Sequence, residues 1–300
     1  MLNRNRIIQN INHYRGFNAN NNYPYQGDKH YLYTSLKGWN ITNNQNFSVY
    51  IRLKMNKRIG EYDTYVRLFT IFDNVNSNGI FLQLARSLNF TLRNRGVSNS
   101  ITSGLNVTTT RPHSLFFVID SNYIKGFVDG EIFNRVSRTV AIANSLENHN
   151  LYIYTEKEIN NTNFVNVIIE EIAIFQKALS EIEVMKIYKN EKLYNDKKCL
   201  LWSVFDNRYI DYDVDYGNIR FRDLSGKGNN LMFGYDSITG NALRRVPFNF
   251  LIDGVETLEF VMGEVNYRSE GYQISVRNRE SGLYYVIDKQ NLVRKLEAIR

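Results

Sequence analysis

The fold is decided by residues 164–190, FVNVIIEEIAIFQKALSEIEVMKIYKN. The first half of this segment predicts a buried strand over 165–175, because apolar residues dominate and only a pair of glutamates interrupts them. Ser180 stands three residues before Glu183, which is the spacing of a capping box at the beginning of a helix. The segment therefore predicts a strand, a tight corner and one short helix in direct succession.

Upstream of this segment, apolar residues recur with the period of β-strands. In residues 47–54, FSVYIRLK, every second residue is apolar, as in a strand with one buried face. Asp129-Gly130 lies between two apolar runs and predicts a two-residue hairpin turn, because both residues tolerate a left-handed backbone. Residues 97–106 are predicted to form a loop rich in Gly, Ser and Asn. Further strands are predicted at residues 30–36, 64–72, 80–85, 87–94, 115–119 and 151–157.

Three of these motifs, taken in order, resemble one protein family. FSVYIRLK, SLFFVIDSNYIKGFVDGEIF and VIIEEIAIFQKALSEIEVMKIYKN are similar to the recurrent pieces of the laminin-G-like, concanavalin A-like jelly roll, over residues 27–194. The third piece, with its strand followed by ALS and a helix, is the most specific. The resemblance implies an all-β sandwich of two antiparallel sheets packed face to face, with one short helix.

One motif stands outside the order of that family. The turn DLSGKGN, residues 223–229, normally precedes the first strands of the jelly roll, but here it follows the closing motif. The domain could be circularly permuted, a second jelly roll could begin here, or the segment could add a strand to this sandwich or to a neighbouring one. We favour a strand that completes the same sandwich.

The chain is predicted to have three parts. Residues 1–26 are basic and Asn-rich and are expected to form an extended arm that either anchors on a neighbouring subunit or lies on its own domain. The jelly roll is expected over 27–247, with closing strands in 195–247. Within these, 199–205 is predicted as a strand and 206–218 as a polar aromatic loop. Residues 248–300 predict a small β module of four strands, ending in a helical turn at 291–300.

The composition narrows the class of protein. The formal net charge is +7, but Lys and Arg are spread along the chain among 30 acidic residues, so nucleic-acid binding is not expected. The single cysteine, Cys199, rules out an internal disulfide framework and is expected in the core. No apolar run is long enough to span a membrane and no signal peptide is recognised, so membrane insertion is not expected.

The acidic residues do not predict a glycosidase. Such an enzyme needs two carboxylates that face one another across a cleft. Glu170 and Glu171 are adjacent, so a regular strand would point them to opposite faces, and the same holds for Glu256 and Glu259, which are three apart. The four histidines also lack metal-ligand spacing. We therefore predict that the protein is not an enzyme. The alternative is a carbohydrate-active enzyme that would use Glu259 and Glu264.

The loop at 206–218 carries the candidate binding residues. Tyrosines on a rim loop offer sugar rings an apolar face and a hydroxyl group, although they suit a protein interface equally well. The alternating aspartates of the same loop are weak candidates for calcium, because an EF-hand is not completed and a solvated acidic loop explains them better. No other cofactor is expected. The tyrosines are Tyr209, Tyr212 and Tyr216, and the aspartates are Asp211, Asp213 and Asp215.

These observations favour a non-enzymatic binding or structural module. Abundant Asn, Ile, Tyr and Lys are typical of an AT-rich genome, and together with the arm they favour a bacteriophage or viral virion component, such as a fibre, tail or capsid-decoration subunit. It would be made in the host cytoplasm, form a homo-oligomer, and bind a host glycan or neighbouring virion subunits. A cellular lectin or adhesin is the other alternative.

Overall fold

A computed structural model describes most of the jelly roll and separate strands on either side of it. The described residues are 17–18, 29–41, 45–55, 66–73, 75–84, 88–103, 111–153, 167–205, 209–213, 218–236, 245–246, 251–252, 255–256, 258–261, 274–278, 284–287 and 293–296.

Almost every regular element is a strand, as the alternating sequence predicts. Among the residues that the structure describes, one α-helix, α1 (Glu181–Tyr188), and one 3₁₀ helix (Asn144–Asn148) accompany them. The strands are β1 (Phe17–Asn18), β2 (Lys29–Ser35), β3 (Phe47–Met55), β4 (Val66–Asp73), β5 (Asn78–Leu84), β6 (Leu88–Asn94), β7 (Val97–Ser103), β8 (His113–Ile119), β9 (Tyr123–Val128), β10 (Glu131–Ser137), β11 (Asn150–Ile153), β12 (Val167–Phe175), β13 (Cys199–Val204), β14 (Ile210–Asp213), β15 (Asn218–Phe221), β16 (Leu231–Asp236), β17 (Arg245–Val246), β18 (Leu251–Ile252), β19 (Val255–Glu256), β20 (Leu258–Val261), β21 (Ile274–Asn278), β22 (Tyr284–Ile287) and β23 (Val293–Leu296).

Two antiparallel sheets form the sandwich, which confirms the predicted fold class. The seven-stranded sheet has the order β1-β12-β3-β8-β9-β10, and β13 also pairs with β12. The nine-stranded sheet has the order β14-β15-β16-β2-β11-β4-β5-β6-β7. Within the predicted arm, β1 pairs with β12 of the same chain. Several strands that follow one another along the chain, such as β2 and β3, lie in different sheets. Their connections therefore cross from one sheet to the other, as in a jelly roll.

The displaced DLSGKGN turn leads into a strand of this same sandwich. β16 follows the turn and pairs with β2, Met232 opposite Tyr33. The turn is anchored by Asp223, whose carboxylate accepts hydrogen bonds from the backbone N–H groups of Trp202 (3.0 Å) and Asn229 (3.0 Å). Because this buried carboxylate ties β13 to the beginning of β16, the motif closes the sandwich, as we predicted.

The main core lies between the two sheets. Phe90 of β6 stacks on Phe117 of β8, with ring centroids 4.6 Å apart, so the aromatic rings join the sheets directly. The predicted alternation of β3 is confirmed, because its odd-numbered residues from Phe47 to Leu53 are all buried in this core. Burying apolar surface on this scale is the main stabilising contribution to such a sandwich.

A second, smaller core lies outside the seven-stranded sheet, beneath α1. It contains Tyr50, Phe116 and Trp202 from the outer face of the sheet and Val184 and Ile187 from the helix. The capping box is present as predicted: the Glu183 backbone N–H donates to the Ser180 hydroxyl (3.2 Å), and the Ser180 backbone N–H donates to the Glu183 carboxylate (2.8 Å). In the closing segment of the jelly roll, the helix α1 thus covers the outer face of the seven-stranded sheet, and the strand β12 belongs to that same sheet.

The structure corrects several local predictions. Residues 97–106 were expected as a loop, but Val97–Ser103 is the edge strand β7, whose single buried apolar residue, Ile101, gives only a weak strand pattern. The predicted polar aromatic loop contains β14, which pairs with β15 in a hairpin, and β14 forms the other edge of the sheet. At the C-terminus, β17 and β20–β23 form a five-stranded sheet in which β23 pairs with β22, so the helical turn predicted at 291–300 is wrong.

Candidate functional site

A cleft of about 840 Å³ opens at one end of the sandwich. Three connections form its walls: the turn between β4 and β5, the turn between β6 and β7, and the segment that follows β10. Its volume falls in the range of small-molecule sites. The described lining residues are Asn76, Asn78, Asn94, Arg95, Val97, Thr139, Val140, Ala141, Ala143, Asn144 and Ser145.

The first wall is built on Asp73, a buried carboxylate at the end of β4. Asp73 accepts hydrogen bonds from the side-chain amide (2.8 Å) and the backbone N–H (3.2 Å) of Asn76, and His149 Nε2 lies 3.7 Å from it. Burial alone would raise the pKa of Asp73, but these hydrogen bonds, with one from Ser145, lower it below its usual range. The turn is therefore held by an ionised side chain beneath the cleft.

Asn78 connects the three walls. Its amide donates to the Ser145 hydroxyl (2.8 Å), while its carbonyl oxygen accepts from the backbone N–H of Arg95 (2.7 Å). Asn94 reaches the third wall in the same way, since its amide donates to the Ala141 carbonyl (3.1 Å). The walls are thus fixed to one another by side chains, so the cleft is preformed.

Other lining residues are exposed and keep unused hydrogen-bonding capacity. The side chains of Asn144 and Thr139 are exposed and make no hydrogen bond within the described part of the chain. Amide and hydroxyl groups each donate and accept, which matches the alternating donors and acceptors of a sugar ring. Val97, 61% exposed, adds an apolar edge. No carboxylate is present among the described lining residues.

Of the predicted binding tyrosines, Tyr209 is not among the residues that line this cleft. Tyr209 is half-buried and packs against the outer core beneath α1, and Tyr212 lies in β14, at the edge of the sheet opposite to β7. Tyr216 and Asp215 lie outside the described residues, while Asp211 and Asp213 lie in β14. Sugar binding by the three tyrosines and calcium binding by the three aspartates stay predictions.

The sequence did not single out the residues of the cleft. Most are polar residues in turns or at strand ends, a pattern found in most surface loops, and they come from segments up to 69 positions apart, from Asn76 to Ser145. One signal was available: Arg95-Gly96 separates two strands, as a hairpin dipeptide would, but with Arg in a position where Asn, Asp or Gly is usual.

The argument that Glu170 and Glu171 point to opposite faces is wrong. A β-bulge at Glu170 inserts an extra residue, since Ile169 pairs with Leu53 and Glu171 already pairs with Arg52. Both glutamates therefore lie on the outer face of the sheet: Glu170 accepts from Arg52 Nε (2.9 Å), and Glu171 accepts from the Tyr50 hydroxyl (3.3 Å).

Glu171 is buried beneath the helix. It is 1% exposed and binds Lys192 Nζ (2.6 Å) and Trp202 Nε1 (2.5 Å) as well as Tyr50. Burial and the Glu171 carboxylate raise the pKa of Tyr50, so its phenol stays protonated and donates. The carboxylate is occupied by internal partners under the helix, away from the cleft.

Two of the remaining candidate carboxylates lie on different strands. Glu256 lies in β19 and Glu259 in β20, two strands with different partners, and Glu264 lies outside the described residues. Cys199 is buried, as predicted, and burial raises the pKa of its thiol to about 12. Among the residues described, no three His, Cys, Asp or Glu side chains cluster as metal ligands, and none of the helices could cross a membrane.

Comparison with solved structures finds sandwiches of the same kind. A protein from Bacteroides ovatus, described as carbohydrate binding, shares 12% identity over 74% of this chain and 58% of its own, with a TM-score of 0.52. The botulinum neurotoxin serotype G binding domain shares 14% identity over 90% of this chain and 66% of its own, with a TM-score of 0.45. A Ruminococcus gnavus sialidase module bound to α2,3 sialyllactose shares 13% identity over 52% of this chain and 91% of its own, with a TM-score of 0.41.

The first of these likenesses concerns the fold alone, because the identity is low. The chain spans 58% and 66% of the length of the first two structures. No curated protein matches the sequence. Residues 26–185, more than half of the chain, match a laminin G family. With that match and the two-sheet fold, the protein belongs to the concanavalin A-like lectin/glucanases superfamily.

Proposed function

We propose that this protein is a non-enzymatic carbohydrate-binding module and that the cleft between the β4–β5 turn, the β6–β7 turn and residues 139–145 holds the saccharide. The observation that carries the proposal is the set of amide and hydroxyl groups that line the cleft, part of them fixed to the scaffold and part of them exposed. The family includes both lectins and glucanases, so the choice between binding and catalysis depends on the site.

The chemistry of the cleft favours binding over hydrolysis. A retaining or inverting glycosidase uses two carboxyl groups, one on each side of the scissile bond. The described lining residues include none, and Asp73 beneath them is engaged by Asn76 and by the neighbouring His149. Hydrogen bonding to sugar hydroxyls needs no such pair, and the preformed walls reduce the entropy lost on binding.

A glycan array with cleft variants tests the proposal. We expect the full chain to bind a subset of glycans, and Asn144→Trp, which fills the cleft with an indole, to abolish this binding while the thermal midpoint changes little. Asn195→Trp is the matched control, because Asn195 is also exposed but is not among the residues that line the cleft. A blank array with the unaltered protein, or equal binding by Asn144→Trp, would refute a glycan site in this cleft.

For the biological setting we propose a bacteriophage or viral virion component that forms a homo-oligomer. The support comes from the sequence: an amino-acid composition typical of an AT-rich genome, a polar N-terminal segment and a single cysteine, which is buried. The measurement is the mass in solution at low protein concentration, taken beside the array. A stable oligomer that binds glycans agrees with a fibre, tail or decoration subunit, whereas a monomer that binds them favours a cellular lectin or adhesin.

A further inference from the structure

Arg95 is the one charged residue among the described residues that line the cleft. It is exposed, and no ion pair among the described residues involves it. The carboxylate beneath the cleft, Asp73, is only 2% exposed, and hydrogen bonds from Asn76 occupy it. The described lining of the cleft therefore carries one positive charge and no carboxylate.

The backbone of Arg95 shows that arginine is an unfavourable choice at this position. The turn between β6 and β7 has positive φ at both central residues, 51° at Arg95 and 79° at Gly96. The turn between β9 and β10 has the same geometry, 52° at Asp129 and 87° at Gly130. Asp, Asn and Gly tolerate this left-handed conformation, whereas a long side chain is strained in it. Such strain is concentrated at functional sites.

The turn is also braced so that Arg95 stays in place. Its backbone N–H donates to Asn78 Oδ1 (2.7 Å), and the N–H of Gly96 donates to the carbonyl of Ser77 (3.3 Å). Asn78 is in turn held by Ser145 from the opposite wall. The braced turn fixes the backbone of Arg95 at the cleft, so its exposed guanidinium is within reach of an anionic group of a ligand bound beside the exposed amides and hydroxyls.

We propose that the cleft selects anionic saccharides, with the Arg95 guanidinium binding their carboxylate or sulfate and the amides and hydroxyls binding the ring. This inference rests on the proposed function, because it assigns a ligand class to the same cleft. Uronic acids, sialic acids and sulfated sugars share the oxyanion that a guanidinium fork binds through two parallel hydrogen bonds. Arginine is suited to this role because it stays charged at all physiological pH values.

The test uses glycans in charged and uncharged pairs. The probes are 3′-sialyllactose beside lactose, trigalacturonate beside its methyl ester, and a chondroitin sulfate tetrasaccharide beside its desulfated form. We expect the unaltered protein to bind the charged member of at least one pair about tenfold more tightly or better, and the preference to shrink as salt is raised. The pair that responds distinguishes carboxylate from sulfate.

Two variants separate a loss of recognition from a loss of folding. Arg95→Asn should lower the affinity for the charged glycan about tenfold or more, leave the uncharged parent within about twofold, and keep or raise the thermal midpoint, because Asn tolerates the left-handed backbone. Lys197→Asn removes one positive charge from an exposed site outside the cleft and should change neither affinity.

The outcomes distinguish this inference from the proposed function. If the protein binds both members of every pair equally, or if Arg95→Asn keeps the preference for the charged member, the selection of anionic saccharides is overturned while glycan binding in the cleft stands. If no glycan of either kind binds, both proposals are overturned.

Discussion

Two of the polar clusters among the described residues differ in how their hydrogen bonds are used. Beneath α1, Glu171 is 1% exposed and its carboxylate binds Tyr50, Trp202 and Lys192. At the end of the sandwich, the cleft also contains polar side chains, but several of them, including Asn144 and Arg95, are exposed. The first cluster is closed and satisfied within the protein, whereas the second is open to solvent.

This difference separates a structural cluster from a binding one. A buried carboxylate with three internal partners orders the groups around it and leaves nothing for a ligand. An exposed cluster on a braced frame contributes little to folding but keeps donors and acceptors for another molecule. Residue type alone does not separate the two clusters, since glycosidases also use carboxylates in pairs. The burial of Glu171 and its three internal partners assign this carboxylate to the structural cluster.

The largest effect is expected in the closed cluster. Glu171→Ala should lower the free energy of unfolding by about 3–5 kcal/mol, because it leaves the Lys192 ammonium and the Trp202 indole N–H without their acceptor. Urea denaturation monitored by tryptophan fluorescence measures it. Glycan binding by the folded fraction should be unchanged. A loss below about 1 kcal/mol would show that the network is not structural.

A smaller effect on stability is expected at Asp73, whose buried carboxylate also holds the Asn76 turn that lines the cleft. Asp73→Ala should cost roughly 1.5–3 kcal/mol, because a buried ionised acceptor of the Asn76 side chain and backbone is removed. Since these bonds hold one wall of the cleft, glycan affinity should fall as well. Asp120→Ala is the control, because Asp120 is a similarly bonded turn carboxylate whose turn residues, Asn122 and Tyr123, are not among those that line the cleft. Equal loss of affinity in both variants would contradict a specific role for Asp73.

Asp73 also gives the cleft a predictable response to acid. Its folded pKa lies below the ordinary value of 3.8, so its stabilising contribution is complete above that value and is lost as the pH falls through the folded pKa. The unaltered protein should therefore lose stability below about pH 4. Asp73→Asn should lack this part of the decline when the two are compared by thermal melting across pH 2–6.

The smallest effect is expected at the helix that covers the closed cluster. Ser180→Ala removes the N-cap acceptor of the Glu183 N–H and should cost about 1 kcal/mol. Because α1 covers Trp202 but lies outside the cleft, tryptophan fluorescence should report the change and glycan affinity should stay the same. Ser180→Asn, which retains a capping oxygen, should restore most of the stability. A fall in glycan affinity with Ser180→Ala would show that the clusters are coupled.

The sequence predicted the elements that depend on neighbouring residues. Alternation in 47–54 gave β3, Asp129-Gly130 gave the hairpin between β9 and β10, and Ser180 with Glu183 gave the beginning of α1. Each pattern acts over a few residues, so it is readable without the partner strands. The edge strand β7 was missed because its residues are mostly polar, as an edge position allows, so the alternating apolar pattern is lacking.

The placement of the glutamates could not be predicted in this way. Period-two reasoning holds for a regular strand, but one extra residue at Glu170 reverses which face the following residues occupy. A bulge is a property of two paired strands, so it becomes visible only when β12 lies beside β3. The position of β16 next to β2 is likewise a fact of pairing, although the DLSGKGN motif indicated that a strand would follow.

The sequence by itself thus determined the all-β class, the family and the one capped helix, because these depend on local periodicity and on motifs in a fixed order. Only the tertiary structure decided which polar residues form a site. The cleft joins Asn76, Arg95 and Asn144, which are distant along the chain and meet where three connections converge at the end of the sandwich. Because surface turns are polar wherever they occur, only their spatial arrangement distinguishes a binding cleft from ordinary loops.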